Sequence, residues 1–351
     1  MKHDGHQTAG SPLTKQQDGL HFSAYEACRL CPRACGVNRY EQLGFCRAGA
    51  MLRAARAALH LWEEPCISGK TGSGAVFFSN CTLRCVFCQN YNISAEGFGR
   101  ELSVRQLADV FLRLEAQGAA NINLVTATHY LPEVVAALDL VRPRLQIPIV
   151  YNCGGYERVE TLRALEGYVD VYLPDLKYAD GALAARCSGA PDYADIAFLA
   201  VREMIRQCGV PGISVAEIEA TAIKATEQPH AANASATKST CTYARCGLLQ
   251  RGVIIRHMVL PGQRKDSIRL LQRMREELPQ GRYLLSLMSQ YTPFYRAKAL
   301  AGLNRRVTSY EYDTVLKEAL RLGFDGYLQE KSSAAEEYTP PFDLEGLRDL
   351  P

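Results

Sequence analysis

The chain has 351 residues, of which 47% are hydrophobic and 22% charged, the composition of a soluble globular protein with one main core and room for a small appendage. A formal charge of +3 is too small to point to nucleic acid or an anionic membrane as a partner. Residues 1–20 are polar and lack the apolar core of a signal peptide, and no later stretch is apolar for long enough to span a bilayer. The expectation is a cytoplasmic protein, in which 13 cysteines speak for metal or redox chemistry rather than a disulfide framework.

In chain order, a flexible tail is expected over 1–20, followed by a cysteine-rich segment over 21–66. That segment carries Cys28, Cys31, Cys35 and Cys46. Four thiols so close together can close a tetrahedral zinc site, hold an iron–sulfur cluster, or stand free, and the spacing leaves the three open as a possible second metal site. His60, Glu63 and Glu64 read as solvated charges that join this segment to the main domain. The glycine-rich run Ser68–Gly74 lacks the order of a phosphate loop and precedes a strand, so it is not read as one.

From 67 to 330, apolar runs alternate with helix-period segments, the pattern of a parallel sheet built from βα units. Six strands are expected: Gly74–Ser79, Ile122–Ala127, Pro148–Cys153, Val169–Leu176, Val253–Leu260 and Tyr283–Gln290. Their near-continuous apolar character suits strands covered on both faces. Ser103 with Gln106, and Thr308 with Glu311, form capping boxes at helix starts, Gly118 suits a helix end, and Pro132 suits a first helical turn. Six units are fewer than a closed barrel needs, so the fold class is α/β, a partial (β/α)6 TIM-type barrel with its chemistry at the C-terminal ends of the strands. Residues 215–246, rich in Ala, Thr, Ser and Lys, read as a surface insertion bordered by Cys241 and Cys246, and 331–351 as a C-terminal tail.

Directly after the first of these strands comes Cys81-Thr-Leu-Arg-Cys85-Val-Phe-Cys88. Three thiolates on one loop leave a zinc tetrahedron incomplete but suit a [4Fe–4S] cubane whose fourth iron stays open to a non-protein ligand. An open iron of that kind can chelate the amino and carboxylate groups of S-adenosylmethionine, and an electron from the cluster can then break the sulfonium C–S bond to give a 5′-deoxyadenosyl radical.

Cys-x3-Cys-x2-Cys with an aromatic, Phe87, before the last cysteine resembles the signature of the radical S-adenosylmethionine superfamily. With Cys88–Ser94, Tyr172-Leu-Pro-Asp-Leu-Lys177 and Arg256-His-Met-Val-Leu-Pro-Gly262, the chain is similar to homologues of pyruvate formate-lyase activating enzyme, in a branch with an added N-terminal cysteine segment. The resemblance implies that Lys177 helps to bind the cosubstrate carboxylate, that Asp175 supports it, that His257 lies near the adenosine end, and that Asn152 is a polar site residue at the end of the third strand. It also implies a reductant such as flavodoxin or ferredoxin and, as one outcome, a glycyl radical installed on a protein partner. A peptide or a small metabolite as substrate, and a non-catalytic iron–sulfur redox or interaction protein, stand as alternatives. Where many such enzymes carry Gly-Gly-Glu to hold the cosubstrate ammonium, this chain has Thr126, Thr128 and His129, whose hydroxyl and backbone acceptors are the expected substitutes.

Overall fold

Strands apolar on both faces pair side by side, because their backbone polar groups then have no partner except the neighbouring strand. The computed structural model describes residues 21–214, 247–328 and 340–350. The expected tail at 1–20 and insertion at 215–246, with Cys241 and Cys246, lie outside the described residues. The elements run β1 (Arg53–His60), α1 (Pro65–Ser68), β2 (Ser73–Phe78), α2 (Tyr91–Ser94), β3 (Arg100–Glu101), α3 (Val104–Ala116), β4 (Ile122–Val125), α4 (Leu131–Val141), β5 (Ile149–Cys153) and α5 (Val159–Arg163). They continue with β6 (Val171–Pro174), α6 (Gly181–Ser188), α7 (Tyr193–Cys208), β7 (Gly212–Ser214), β8 (Leu248–Met258), α8 (Arg264–Glu277), β9 (Leu284–Met288), α9 (Ser309–Arg321) and β10 (Gly326–Leu328).

The sheet runs β10-β9-β8-β6-β5-β4-β2-β1-β3, with β7 on the flank of β8. From β2 to β10 every neighbouring pair on this path is parallel. The sheet ends on β10 and β3, which do not pair, so the barrel is partial. All six expected strands form. A seventh parallel strand, β10, was too short to show as an apolar run. Antiparallel β1 was hidden by its Arg-Ala-Ala-Arg-Ala-Ala composition, which favours a helix; pairing with β2 and burial of Ala54, Ala55, Ala57 and Ala58 override that preference. Both capping boxes form, at α3 and α9. Among the described residues no helix is long and apolar enough to cross a membrane.

Inside the barrel the side chains lie in layers, because alternate residues of each strand face inward. Val150, Val171, Leu173, Ile254 and Leu284 form an apolar floor with Cys66 and Ile67 of α1. The chain thus doubles back after β1 to plug the N-terminal end of the strands. Asn121 holds the plug, donating from Nδ2 to the Ile67 carbonyl at 2.7 Å and accepting from Ser73 Oγ at 2.6 Å.

The N-terminal segment packs on the outer side of the loops that follow β2 and β4. Arg39, 2% exposed, lies over the Tyr25 ring at 3.9 Å and donates to the carbonyls of Gly49 and His129. Tyr25 donates to Glu133 of α4 and, at 3.2 Å, to the His129 carbonyl. Residues 340–350, within the expected C-terminal tail, are packed against the domain. The Ala57 amide donates to the Glu345 carbonyl and the Leu344 amide to the Ala55 carbonyl, Phe342 meets Phe77 edge-on, and Leu347 is fully buried. The free edge of β1 explains this, since its unpaired backbone groups need partners.

Beside the barrel, Glu157 accepts from Thr128 Oγ1 at 2.8 Å and from the Tyr151 hydroxyl at 3.3 Å. Burial, opposed by these hydrogen bonds, pushes its carboxyl up to about 8. In the unfolded chain the same group ionises near 4.5. As pH rises between these values the unfolded state loses its proton while the folded state keeps it, so stability falls. Denaturant midpoints should decline from pH 5 to pH 8, and Glu157→Gln should flatten that decline; an unchanged slope in the variant would contradict it.

Candidate active site

Three thiols, the cations of Lys177 and Arg256 and the amide of Asn152 come together at the C-terminal mouth of the barrel. The loop after β2 makes two left-handed turns, at Asn80 (φ +74°) and Arg84 (φ +52°), and brings Cys81, Cys85 and Cys88 to line one cavity. Each sulfur receives a donor: the Leu83 amide points at Cys81 Sγ at 3.4 Å, Ser188 Oγ at Cys85 Sγ at 3.0 Å and Ser94 Oγ at Cys88 Sγ at 3.2 Å. Such donors stabilise thiolates, the form a metal takes. Burial first, and the neighbouring Cys85 second, push Cys81 up to about 12 and Cys88 to about 11, so ionisation here calls for a positive partner. Among the described residues no three His, Cys, Asp or Glu side chains close round a single ion. A cubane takes each thiolate on a different iron and needs a wider set, so the donors present fit the [4Fe–4S] cluster better than a single zinc. Phe87, 6% exposed, braces the loop edge-on against Tyr178 and Tyr291.

Opposite the cysteines lies a buried polar network. Arg256 of β8 donates to Glu63 Oε2 at 3.1 Å, Asp175 Oδ1 at 3.1 Å and Asn152 Oδ1 at 2.7 Å. Lys177 Nζ donates to the other Asp175 oxygen at 2.5 Å. Asn123 and Asn152 in turn donate to Glu63 Oε1 at 3.0 and 3.2 Å. Burial would raise the Asp175 carboxyl, but Lys177 and Arg256 outweigh it and hold the group below its usual range. Burial would lower Lys177, and Asp175 reverses this, so the ammonium stays charged. Gly155 (φ +77°) lets the loop after β5 run against the Asp175 carbonyl, where a Cβ would collide.

Phe87, Asn152, Asp175 and Lys177 line the cavity together with the three cysteines, but His257 does not. Its ring, 1% exposed, bonds the Leu176 carbonyl through Nδ1 at 2.7 Å and Ser267 Oγ through Nε2 at 2.8 Å, and burial lowers it to about 4. The alternation of a strand is the reason: with Arg256 facing in, His257 faces out. Of the expected Gly-Gly-Glu substitutes only Thr126, at φ +61°, lines the cavity. Thr128 is engaged with Glu157, and His129 with the Ser79 carbonyl.

The reading of Glu63 and Glu64 as solvated charges is overturned. Glu64 is 9% exposed and Glu63 reaches the network from within the barrel, because the α1 plug carries both inward. Burial, with Arg256 opposing and Glu63 adding, raises the Glu64 carboxyl. Nothing in the periodicity of His60–Pro65 signals this. Arg256 was missed: strand alternation lets only one of Arg256 and His257 face inward, and the sequence does not say which.

Residues 75–223 match the family model of the radical SAM superfamily. An uncharacterized protein of Methanocaldococcus jannaschii, MJ0674, is 27% identical over 313 residues, covering 86% of this chain and 76% of its own. Among solved structures, the chain is similar to Streptococcus suis SuiB bound to S-adenosylmethionine (TM-score 0.43, 10% identity, 71% of this chain) and to a radical SAM methyltransferase from Sphaerobacter thermophilus (TM-score 0.43, 12% identity, 73% of this chain). The matches span 47% and 66% of those two chains. The superfamily of that model implies a [4Fe–4S] cluster and S-adenosylmethionine, and the Cys81 loop, which lies within the matched residues, offers donors that fit the first.

Replacing Arg256 by Leu would leave the Glu63 carboxylate without a cation and Asp175 with Lys177 alone. A loss of about 3–5 kcal/mol in folding stability is expected, measured by urea unfolding, whereas a loss under 1 kcal/mol would show the network to be well solvated.

Proposed function

We propose that this protein is a radical S-adenosylmethionine enzyme that cleaves its cosubstrate reductively and passes the radical on by hydrogen abstraction. The observation that carries the reading is a single cavity lined by Cys81, Cys85 and Cys88 on one side and by Asn152, Asp175 and Lys177 on the other. When bound, the cluster supplies the electron that breaks the sulfonium C–S bond. The chain's own residues then have separate tasks. The Lys177 ammonium, oriented by Asp175, is the point charge for the cosubstrate carboxylate. Asn152, held by Arg256 and Glu63, presents a fixed amide beside it. Phe77, Val125, Met258 and Met288 supply apolar wall, which keeps water from a reactive intermediate. His257 acts at one remove, fixing the Leu176 carbonyl between Asp175 and Lys177.

Within this class, the resemblance to activating enzymes favours a glycyl radical on a protein partner, with a flavodoxin or ferredoxin as reductant. A peptide or small metabolite as substrate leaves the same cavity chemistry in place. A non-catalytic iron–sulfur protein is the contrasting reading, and the polar wall around Lys177 speaks against it, since a redox carrier needs no carboxylate site.

After anaerobic reconstitution and reduction, the protein should release 5′-deoxyadenosine from S-adenosylmethionine. Replacing Cys81, Cys85 and Cys88 by Ala should abolish both the barrel cluster and this release. Lys177→Ala should weaken cosubstrate binding at least tenfold by calorimetry with the cluster signal retained, and His257→Ala should weaken it less. A wild-type protein that binds S-adenosylmethionine with its cluster reduced and releases no 5′-deoxyadenosine would leave the non-catalytic reading standing.

A further inference from the structure

Outside the barrel, the N-terminal cysteines repeat the local architecture of the Cys81 loop. There, the amide two residues on points back at the sulfur, Leu83 at Cys81 and Asn90 at Cys88. In the N-terminal segment the Arg33 amide points at the Cys31 sulfur, and the Ala48 amide at that of Cys46. Two turns set up these contacts. One closes by the Ala34 amide on the Cys31 carbonyl at 3.0 Å with Ala34 at φ +40°, the other by the Arg47 amide on the Gly44 carbonyl at 2.8 Å with Arg47 at φ +67°. Positive φ at two non-glycine residues costs strain that a free loop would relax.

The two turns face each other. A Cβ on Gly44 would lie 3.3 Å from Cys46 Sγ and 3.7 Å from Cys35 Sγ, so both sulfurs border one point beside Gly44. Cys46 is within electrostatic reach of Cys28 and Cys35, and Cys31 of Cys28 and Cys46. Cys28, Cys31 and Cys46 are buried and Cys35 is exposed.

We propose that Cys28, Cys31, Cys35 and Cys46 form a tetrathiolate metal centre, separate from the barrel cluster and built into the segment that clamps the Cys81 loop. Four thiolates from two opposed turns match the donor set of a structural zinc or of a fully protein-ligated iron–sulfur cluster. Closing the set takes side-chain rotation, chiefly of exposed Cys35, since the four do not yet surround a single ion. Arg33, between Cys31 and Cys35, ties the centre to the active site. Its guanidinium donates to the Thr82 carbonyl at 3.0 Å and the Ser188 carbonyl at 2.7 Å, and Ser188 is the residue whose hydroxyl meets Cys85. Metal uptake therefore rigidifies the support of the cysteine loop as well as its own segment.

The test counts zinc, iron and sulfide in the purified full-length protein, reconstituted anaerobically with all three supplied. The Cys81/Cys85/Cys88→Ala variant should keep one centre, and the Cys28/Cys31/Cys35/Cys46→Ser variant should lose one while keeping the cluster spectrum of the barrel. Zinc lost identifies a structural zinc, and iron with sulfide lost identifies a cluster; either supports the centre. The triple-Ala count stands apart from the proposed catalytic function, so the two ideas can fail separately. Because the quadruple variant can misfold, wild-type protein is also alkylated with iodoacetamide before and after a chelator and mapped by mass spectrometry. Cys28, Cys31, Cys35 and Cys46 should gain label together at least fivefold after chelation, while Cys153 and Cys208 do not. Unchanged metal content in the quadruple variant, or Cys28, Cys31, Cys35 and Cys46 labelled alike with and without chelator, would overturn the proposal.

Discussion

A guanidinium held inside the barrel is the constraint on which the rest of the site depends. Arg256 gives up bulk water, which is costly for a cation unless every donor finds an anion or a dipole. It finds Glu63, Asp175 and Asn152, and so joins β5, the end of β6, β8 and the segment after β1 into one arrangement. Asp175 then has one oxygen left, which holds Lys177. The position of the Lys177 ammonium facing the cysteine loop is thus set by the salt-bridge network around Arg256.

This arrangement explains why the interior is layered by polarity. The apolar floor of Val150, Val171, Ile254 and Leu284, sealed by Cys66 and Ile67, keeps water away from the underside of the network. Above it come the amides and charges, and at the rim the three cysteines with Phe87. Charged groups in such a setting interact more strongly than at a surface, because less water screens them. They are also preorganised, since Asn152 and Lys177 are each fixed by a partner before any ligand arrives.

Support for the rim comes from outside the barrel. The N-terminal segment reaches the segments after β2 and β4 and the helices α5 and α6: Arg33 binds the carbonyls of Thr82 and Ser188, Arg39 and Tyr25 bind that of His129, and the Leu30 carbonyl accepts from Thr161. These are hydrogen bonds from side chains to backbone, which fix where a loop runs without depending on its sequence. A short segment with little core of its own can hold such contacts only if something else orders it.

The sequence by itself determined the sheet and the three-cysteine loop. Six apolar runs at βα spacing left few alternatives to a parallel sheet, and two capping boxes marked helix starts at Ser103 and Thr308 because those signals are local. Cys81, Cys85 and Cys88 were legible for the same reason: their chemistry is in their spacing on one loop. Only the tertiary structure decided that Glu63 and Glu64 are buried, that Arg256 and not His257 faces the cavity, that β1 is a strand, and that residues 340–350 are packed along it. Each of these rests on contacts between segments far apart in the chain, such as Glu63 with Arg256 or Ala57 with Glu345. Burial and charge pairing are set by what the fold brings opposite a side chain, and a local pattern of residue types does not contain that information.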